Sequence, residues 1–184
     1  MIEIRWHGRG GQGAVTASQV TAEAAIIEGK YAQAFPEFGA ERRGAPVKAY
    51  TRIDDSPIYI RSPIVKPDIV VILDPSLLAS EPVLDGLKEG GWVIINSKKP
   101  VEVIRESLKR EDVKIARVDA DTIALEILKV PIVNTAMLGV LVKATKIVDL
   151  DSIIQAISRR FSERIAKLNI EVVKKAYEEA EVSG

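Results

Sequence analysis

Short apolar runs alternate with longer periodic segments along the first two thirds of this chain, and only helix-like segments follow them. Residues 2–6 alternate apolar and charged side chains, which predicts a strand, and the alanine-rich residues 15–27 predict a helix that ends at Gly29. Further strands are predicted at 30–35, 47–53, 58–60, 69–73, 92–96 and 113–118. Further helices are predicted at 77–88, 101–109, 120–128, 135–145, 150–161 and 165–181.

The order of these elements predicts the fold class. A strand and a helix open the chain, a hairpin formed by 47–53 and 58–60 follows, and three strand–helix units precede the terminal helices. Unbroken apolar runs such as 69–73 are typical of parallel strands that are buried on both faces. We therefore expect one α/β domain over residues 1–184, a three-layer, Rossmann-like fold with a mixed, mostly parallel sheet and C-terminal helices.

Composition excludes several classes of function. The 26 basic residues are balanced by 26 acidic ones, which argues against a nucleic-acid partner. Because there is no cysteine, the chain alone can hold neither an iron–sulfur cluster nor a disulfide, and its single histidine, His7, excludes a zinc site built on several histidines. No apolar run reaches the length of about 18 residues typical of a membrane span. The first residues already form a strand pattern rather than a signal peptide, so a cytoplasmic protein is expected.

A glycine-rich segment, residues 8–13, joins the first strand to the first helix, and we call it the glycine loop. Its residues are Gly8, Arg9, Gly10, Gly11, Gln12 and Gly13. Glycines at this spacing allow positive φ angles and a close approach of the backbone to a phosphate. A dinucleotide site would also require an acidic residue at the end of the second strand, where this chain has Ala34-Phe35-Pro36. A tight turn packed on a neighbouring segment remains an equal alternative.

A second candidate is the arginine pair, Arg42 and Arg43. Adjacent guanidinium groups bind phosphates and carboxylates through paired hydrogen bonds. Alternatively, the two are solvated surface charges, or form an ion pair with Glu41 at a subunit interface. The nearby Phe35 and Phe38 favour an interface, because exposed apolar loop residues mark contact surfaces.

Asn134 and Thr135 follow a proline and begin a predicted helix, so one of them is expected to cap it. Loops at the carboxyl ends of parallel strands converge, which would bring this pair to the glycine loop. His7 lacks a neighbouring nucleophile and is interpreted as a hydrogen-bonded structural residue. The sequence thus predicts no catalytic set and no metal site in this chain.

Three segments in this order resemble the γ-subunit family of 2-oxoacid:ferredoxin oxidoreductases, in its pyruvate and 2-oxoisovalerate branch. They are residues 8–13, 35–44 and 134–139, and Asn169 in the last helix also fits. Arg9 and residues 41–46 favour the pyruvate type over the 2-oxoglutarate type. Abundant Glu, Lys and Arg beside only three asparagines also suggest a thermophilic source.

The resemblance implies a complex of anaerobic metabolism that converts a 2-oxoacid, coenzyme A and oxidised ferredoxin into acyl-CoA, carbon dioxide and reduced ferredoxin. Its α, β and δ subunits would carry thiamine diphosphate, magnesium and four-iron–four-sulfur clusters, while this chain would hold no cofactor of its own. Together with the anion-binding character of the residues, it suggests that the glycine loop, Arg42, Arg43, Asn134 and Thr135 help to hold coenzyme A. A self-sufficient dinucleotide-dependent oxidoreductase and a purely structural scaffold subunit are the alternatives.

Overall fold

The computed structural model describes residues 1–37 and 42–184. Its strands within these ranges are β1 Ile2–Arg9, β2 Tyr31–Pro36, β3 Pro46–Asp54, β4 Ile69–Ile72, β5 Trp92–Asn96, β6 Lys114–Val118 and β7 Glu181–Ser183. Its helices are α1 Ala14–Ile27, α2 Leu77–Ser80, α3 Val101–Leu108, α4 Ala120–Leu128, α5 Asn134–Thr145, α6 Leu150–Arg160 and α7 Glu163–Glu179. Of the helices in the described ranges, none combines the length and apolar character required to cross a bilayer.

The strands form one sheet in the order β2-β3-β1-β4-β5-β6-β7. The pairs β1–β4, β4–β5 and β5–β6 are parallel, whereas β3 is antiparallel to both β1 and β2, and β7 is antiparallel to β6. Helices cover both faces, with α1 and α5 packed on one face and α3 on the other. The predicted three-layer α/β class with a mixed sheet is confirmed.

The predicted partner strand at 58–60 is wrong, because these residues form no strand. Both edges of β3 are already occupied, by β1 on one side and by β2 on the other. The segment after the turn therefore has no free edge of β3 to pair with. The hairpin that makes this part of the sheet antiparallel is β2–β3, formed by segments that flank the arginine pair.

The predicted helix at 77–88 is also mostly wrong, since only Leu77–Ser80 is helical. Glu81 is extended, with φ −130° and ψ 147°, because it precedes Pro82, which disfavours a helical residue before it and donates no backbone hydrogen bond. At the other terminus, the predicted last helix ends at Glu179 and is followed by β7, which pairs with residues 115–117 of β6.

Helix α5 is the centre of the larger helical layer. Residues 134–142 are all buried, which explains why its sequence lacks a polar face. The helix runs parallel to α7, since Thr135 contacts Asn169 and, further along both helices, Lys143 contacts Glu178. The two backbones approach closely at Gly139, where an added Cβ would overlap the carbonyl oxygen of Val173.

The opposite face of the sheet is apolar over β4, β5 and β6 but polar over β1 and β3. Arg5 and His7 on β1 are 6% and 2% exposed there. The Nε of Arg5 donates a hydrogen bond to Nε2 of His7 at 2.9 Å, and its Nη2 donates to the carbonyl oxygens of Val83 and Asp85. Burial, with the positive charges of Arg5 and Lys48, lowers the pKa of His7 to about 3. The interpretation of His7 as a hydrogen-bonded structural histidine is confirmed.

Substitution Gly139→Ala should destabilise the protein by about 1–3 kcal/mol, because the new methyl group overfills the α5–α7 contact. Glycine-to-alanine replacement in an ordinary helix would instead stabilise by about 0.5–1 kcal/mol. Denaturant unfolding measures the difference, with Gln155→Ala on the exposed side of α6 as a control that should stay within about 0.5 kcal/mol of the parent. A more stable Gly139→Ala variant would contradict the close packing.

Buried His7 should make stability depend on pH. Below pH 6.5 the unfolded chain binds a proton at His7, whereas the folded chain stays neutral until its pKa of about 3. The contribution of His7 to the free energy of unfolding should therefore fall by about 1.4 kcal/mol for each unit by which the pH is lowered within this window. Other titrating groups add their own changes to this slope. Urea unfolding of the parent and of His7→Gln, which keeps an acceptor for Arg5, measures this slope. Parallel pH profiles for the two proteins would show that His7 is not the cause.

Candidate functional site

The glycine loop and the arginine pair are joined through their backbones at the carboxyl end of β1. The N–H of Gly10 donates to the carbonyl oxygen of Ala45 at 2.9 Å, and the N–H of Gly44 donates to the carbonyl oxygen of Gly10 at 3.1 Å. A Cβ on Gly10 would overlap the carbonyl oxygen of Arg42. Only glycine permits this approach, so the loop is, within this chain, a tight turn packed on a neighbouring segment.

The glycine loop also meets the start of α5. Gly13 has φ 86°, and a Cβ on it would lie 2.5 Å from Nδ2 of Asn134. This confirms the expectation that Asn134 faces the loop, which the fold brings close to it although the two are far apart in the sequence. The pair therefore belongs to the same edge of the sheet as the glycines.

The predicted capping role of Asn134 or Thr135 is wrong. The cap position of α5 is Val133, without a side-chain hydrogen bond, and Asn134 is the first helical residue. Its Oδ1 accepts the N–H of Thr135 at 2.9 Å, while the hydroxyl of Thr135 donates to Oδ1 of Asn169 at 2.9 Å. The side chain of Thr135 is thus bound to α7, and Thr135 is 1% exposed.

Asp74 is a central residue of this site that the sequence did not single out. It lies two residues after the end of β4, the parallel neighbour of β1. Its Oδ2 accepts hydrogen bonds from Nε of Arg9 at 3.2 Å and from Nε2 of Gln12 at 3.1 Å. Its Oδ1 accepts from the backbone N–H and the hydroxyl of Ser76. The signal that could have revealed it is its place as the first polar residue after a buried parallel strand.

The carboxylate of Asp74 is held in its ionised form. Partial burial raises its pKa, but hydrogen bonds from Ser76 and Gln12 and the charge of Arg9 outweigh burial and hold the pKa below its usual value. Because its charge is balanced by Arg9, Asp74 adds little net negative charge to the loop.

Two features of the same edge suit an anion. Helix α1 begins at the loop with Gly13 as its cap, without a side-chain cap and without an acidic residue in its first turn. Its first N–H groups and the helix dipole are therefore available to a negative group. Gly11 is exposed with φ 94°, and there is open space where a side chain would be. Arg42 and Arg43, both exposed, carry positive charge beside it.

The structure thus gathers most of the predicted site residues. Gly8 packs between Ala14 and Gln12. Gly10 lies against the arginine pair and Gly13 against Asn134, while Thr135, the next residue of α5, is buried. The predictions for Phe38 and Glu41 lie outside the described residues. Phe35 stacks against Tyr50, with ring centroids 5.1 Å apart.

Metal-ligating side chains do not cluster in the part of the chain that the structure describes. Among residues 1–37 and 42–184 no group of three or more His, Cys, Asp or Glu side chains is arranged to hold a metal ion. The groups that this edge offers are backbone N–H donors and guanidinium groups, which are chemically suited to an anionic group.

Comparison with known proteins relates this chain to a family. Residues 3–179 match the sequence profile of the family described as pyruvate ferredoxin/flavodoxin oxidoreductase. The chain is 58% identical over 182 residues to the "Pyruvate/ketoisovalerate oxidoreductases common subunit gamma" of Thermococcus litoralis, covering 99% of this chain and 98% of the relative. It is 50% identical over 181 residues to "Pyruvate synthase subunit PorC" of Methanothermobacter thermautotrophicus, covering 98% and 97%.

A solved structure supports the same relationship. The crystal structure of pyruvate oxidoreductase subunit PORC from Thermotoga maritima is similar with a TM-score of 0.88 at 43% identity, covering 100% of this chain and 98% of that one. The matches extend over almost the whole length of each protein, so they concern the complete fold rather than the glycine loop alone. The chain therefore belongs to the pyruvate ferredoxin/flavodoxin oxidoreductase family.

Proposed function

We propose that this chain is the γ subunit of a 2-oxoacid:ferredoxin oxidoreductase complex, with pyruvate as the expected 2-oxoacid. The complex converts the 2-oxoacid, coenzyme A and oxidised ferredoxin into acyl-CoA, carbon dioxide and reduced ferredoxin. Support comes from relatives named as γ or PorC subunits of pyruvate and ketoisovalerate enzymes, which this chain matches over nearly its full length. We place the complex in the cytoplasm.

In this proposal the reacting groups belong to the partner subunits. The α, β and δ subunits carry thiamine diphosphate, magnesium and the iron–sulfur clusters, which stabilise the carbanion and remove electrons one at a time. The present chain has no cysteine with which to ligate a cluster. Its own contribution is to complete the interface and to bind a substrate.

The substrate that fits this site is coenzyme A, because among the substrates of the reaction it is the one with phosphate groups. The observation that carries this assignment is the open edge formed by Gly11, the uncapped start of α1 and the exposed pair Arg42 and Arg43. Backbone N–H groups at a helix start and guanidinium groups are the protein groups that recognise phosphate best. Arg42 and Arg43 would bind the phosphates, and the backbone of the glycine loop would orient them.

A self-sufficient dinucleotide enzyme is less favoured. In a dinucleotide fold the second strand lies parallel to and beside the first, and its end presents an acid to the ribose. Here β3 lies between β1 and β2, and β2 ends in Phe35 and Pro36. Isothermal titration of the chain with NAD(H), NADP(H) and FAD tests this alternative, and tight binding of any of them would favour it over the proposed function.

Replacing Arg42 and Arg43 with alanine should raise the apparent KM for coenzyme A about 10- to 100-fold, because charge-assisted contacts to phosphate are lost. The KM for the 2-oxoacid and the assembly of the complex should not change. Steady-state kinetics and size-exclusion chromatography of the purified complex measure these quantities.

The control is a variant with Lys98→Ala and Lys99→Ala, which removes two adjacent exposed cations at the end of β5. It makes the same change in net charge and should leave the KM for coenzyme A within about twofold of the parent. If the arginine variant dissociates instead, the pair is part of a structural interface, as the scaffold alternative requires. An unchanged KM in an intact complex would rule out the phosphate role.

A further inference from the structure

Arg9 is the charged residue of the glycine loop, and all three nitrogens of its guanidinium group donate a hydrogen bond within the protein. Its Nε donates to Asp74, its Nη2 donates to Oγ of Ser76 at 2.9 Å, and its Nη1 donates to the carbonyl oxygen of Gly44 at 3.2 Å. Three of its five N–H donors are thus used within the protein, which fixes the orientation of the guanidinium group. Arg9 holds the two sides of the site together rather than extending from the loop.

Gln12 is engaged in the same way. Its Oε1 accepts the backbone N–H of Arg9 at 2.6 Å, and its Nε2 donates to Asp74. The side-chain amide of Gln12 thus stabilises the turn through the N–H of Arg9, and the carboxylate of Asp74 holds that amide in place. Both polar side chains of the loop depend on one acceptor, Oδ2 of Asp74, which belongs to a residue 62 positions from Gln12 in the sequence.

We infer that Asp74 is the positioning residue of this site, a carboxylate that holds the glycine loop in the conformation that presents Gly11 and the start of α1 to a phosphate. This rests on the proposed function, in which those backbone groups orient coenzyme A. Asp74 does not touch the substrate. It acts by locking Arg9 and Gln12, so that the loop pays no ordering cost when the phosphate binds.

This role makes a prediction whose sign opposes simple electrostatics. Among the described residues, Asp74 is the only one whose carboxylate accepts a hydrogen bond from Arg9 or Gln12. If it influenced the site through its charge alone, removing that charge would strengthen the binding of an anion. If it positions the loop, removing the charge weakens binding, because an amide cannot accept from Arg9, Gln12 and Ser76 together.

The experiment compares the Asp74→Asn variant with the parent in the assembled complex. The KM for coenzyme A should rise about tenfold, while the KM for the 2-oxoacid stays unchanged, which separates a positioning defect from general damage. Hydrogen exchange of the peptide covering the glycine loop, measured on the full chain, should become faster. Asp74→Glu, which retains the charge, should recover part of the affinity.

The matched control is Asp55→Asn, which removes one negative charge from an exposed turn that follows β3, at the opposite edge of the sheet. It should change neither the loop exchange nor either KM. A lower KM for coenzyme A in Asp74→Asn, or unchanged exchange in the loop, would overturn the positioning role. Faster exchange with an unchanged KM would show that Asp74 orders the loop but that the loop does not bind coenzyme A, so the proposed coenzyme A site would fail instead.

Discussion

The absence of a side chain at two positions of the glycine loop is the constraint on which this edge of the protein depends. Gly10 lets the backbone of residues 42–45 lie directly on the loop, and Gly13 leaves room for the side chain of Asn134. Any larger residue at either position would push apart elements that are distant in the sequence. The close approach therefore creates the site before any charge contributes to it.

Charge is then arranged in two layers around that backbone. Inside, Asp74 and Arg9 neutralise each other and hold the loop, and outside, Arg42 and Arg43 remain exposed. An anion that approaches meets positive groups and uncapped N–H groups, while the inner carboxylate is already paired. This arrangement suits binding and orientation, and it agrees with a subunit whose relatives work as parts of an oxidoreductase.

The elements that could be predicted from the sequence are those whose own residues decide their conformation. The buried strand β4 and the helix α4 lie where their apolar patterns indicated. The failures have tertiary causes. Residues 58–60 form no strand because β3 is already paired on both edges, and β7 forms only because β6 offers it a free edge. The short α2 is an exception, since Pro82 in the sequence already argued against a longer helix.

For the site, the sequence by itself was enough to select the glycines, the arginine pair and Asn134 as candidates. Glycine spacing predicts a tight turn, and adjacent arginines predict an affinity for anions, without knowledge of the fold. Only the tertiary structure decided what they contact. Arg9, which the sequence indicated only as a member of the glycine loop, is bound to Asp74, 65 residues away. Thr135, offered as a helix cap, is bound to Asn169. Such hydrogen bonds join residues that are distant along the chain, and their partners are chosen by how strands and helices pack, which no local pattern encodes.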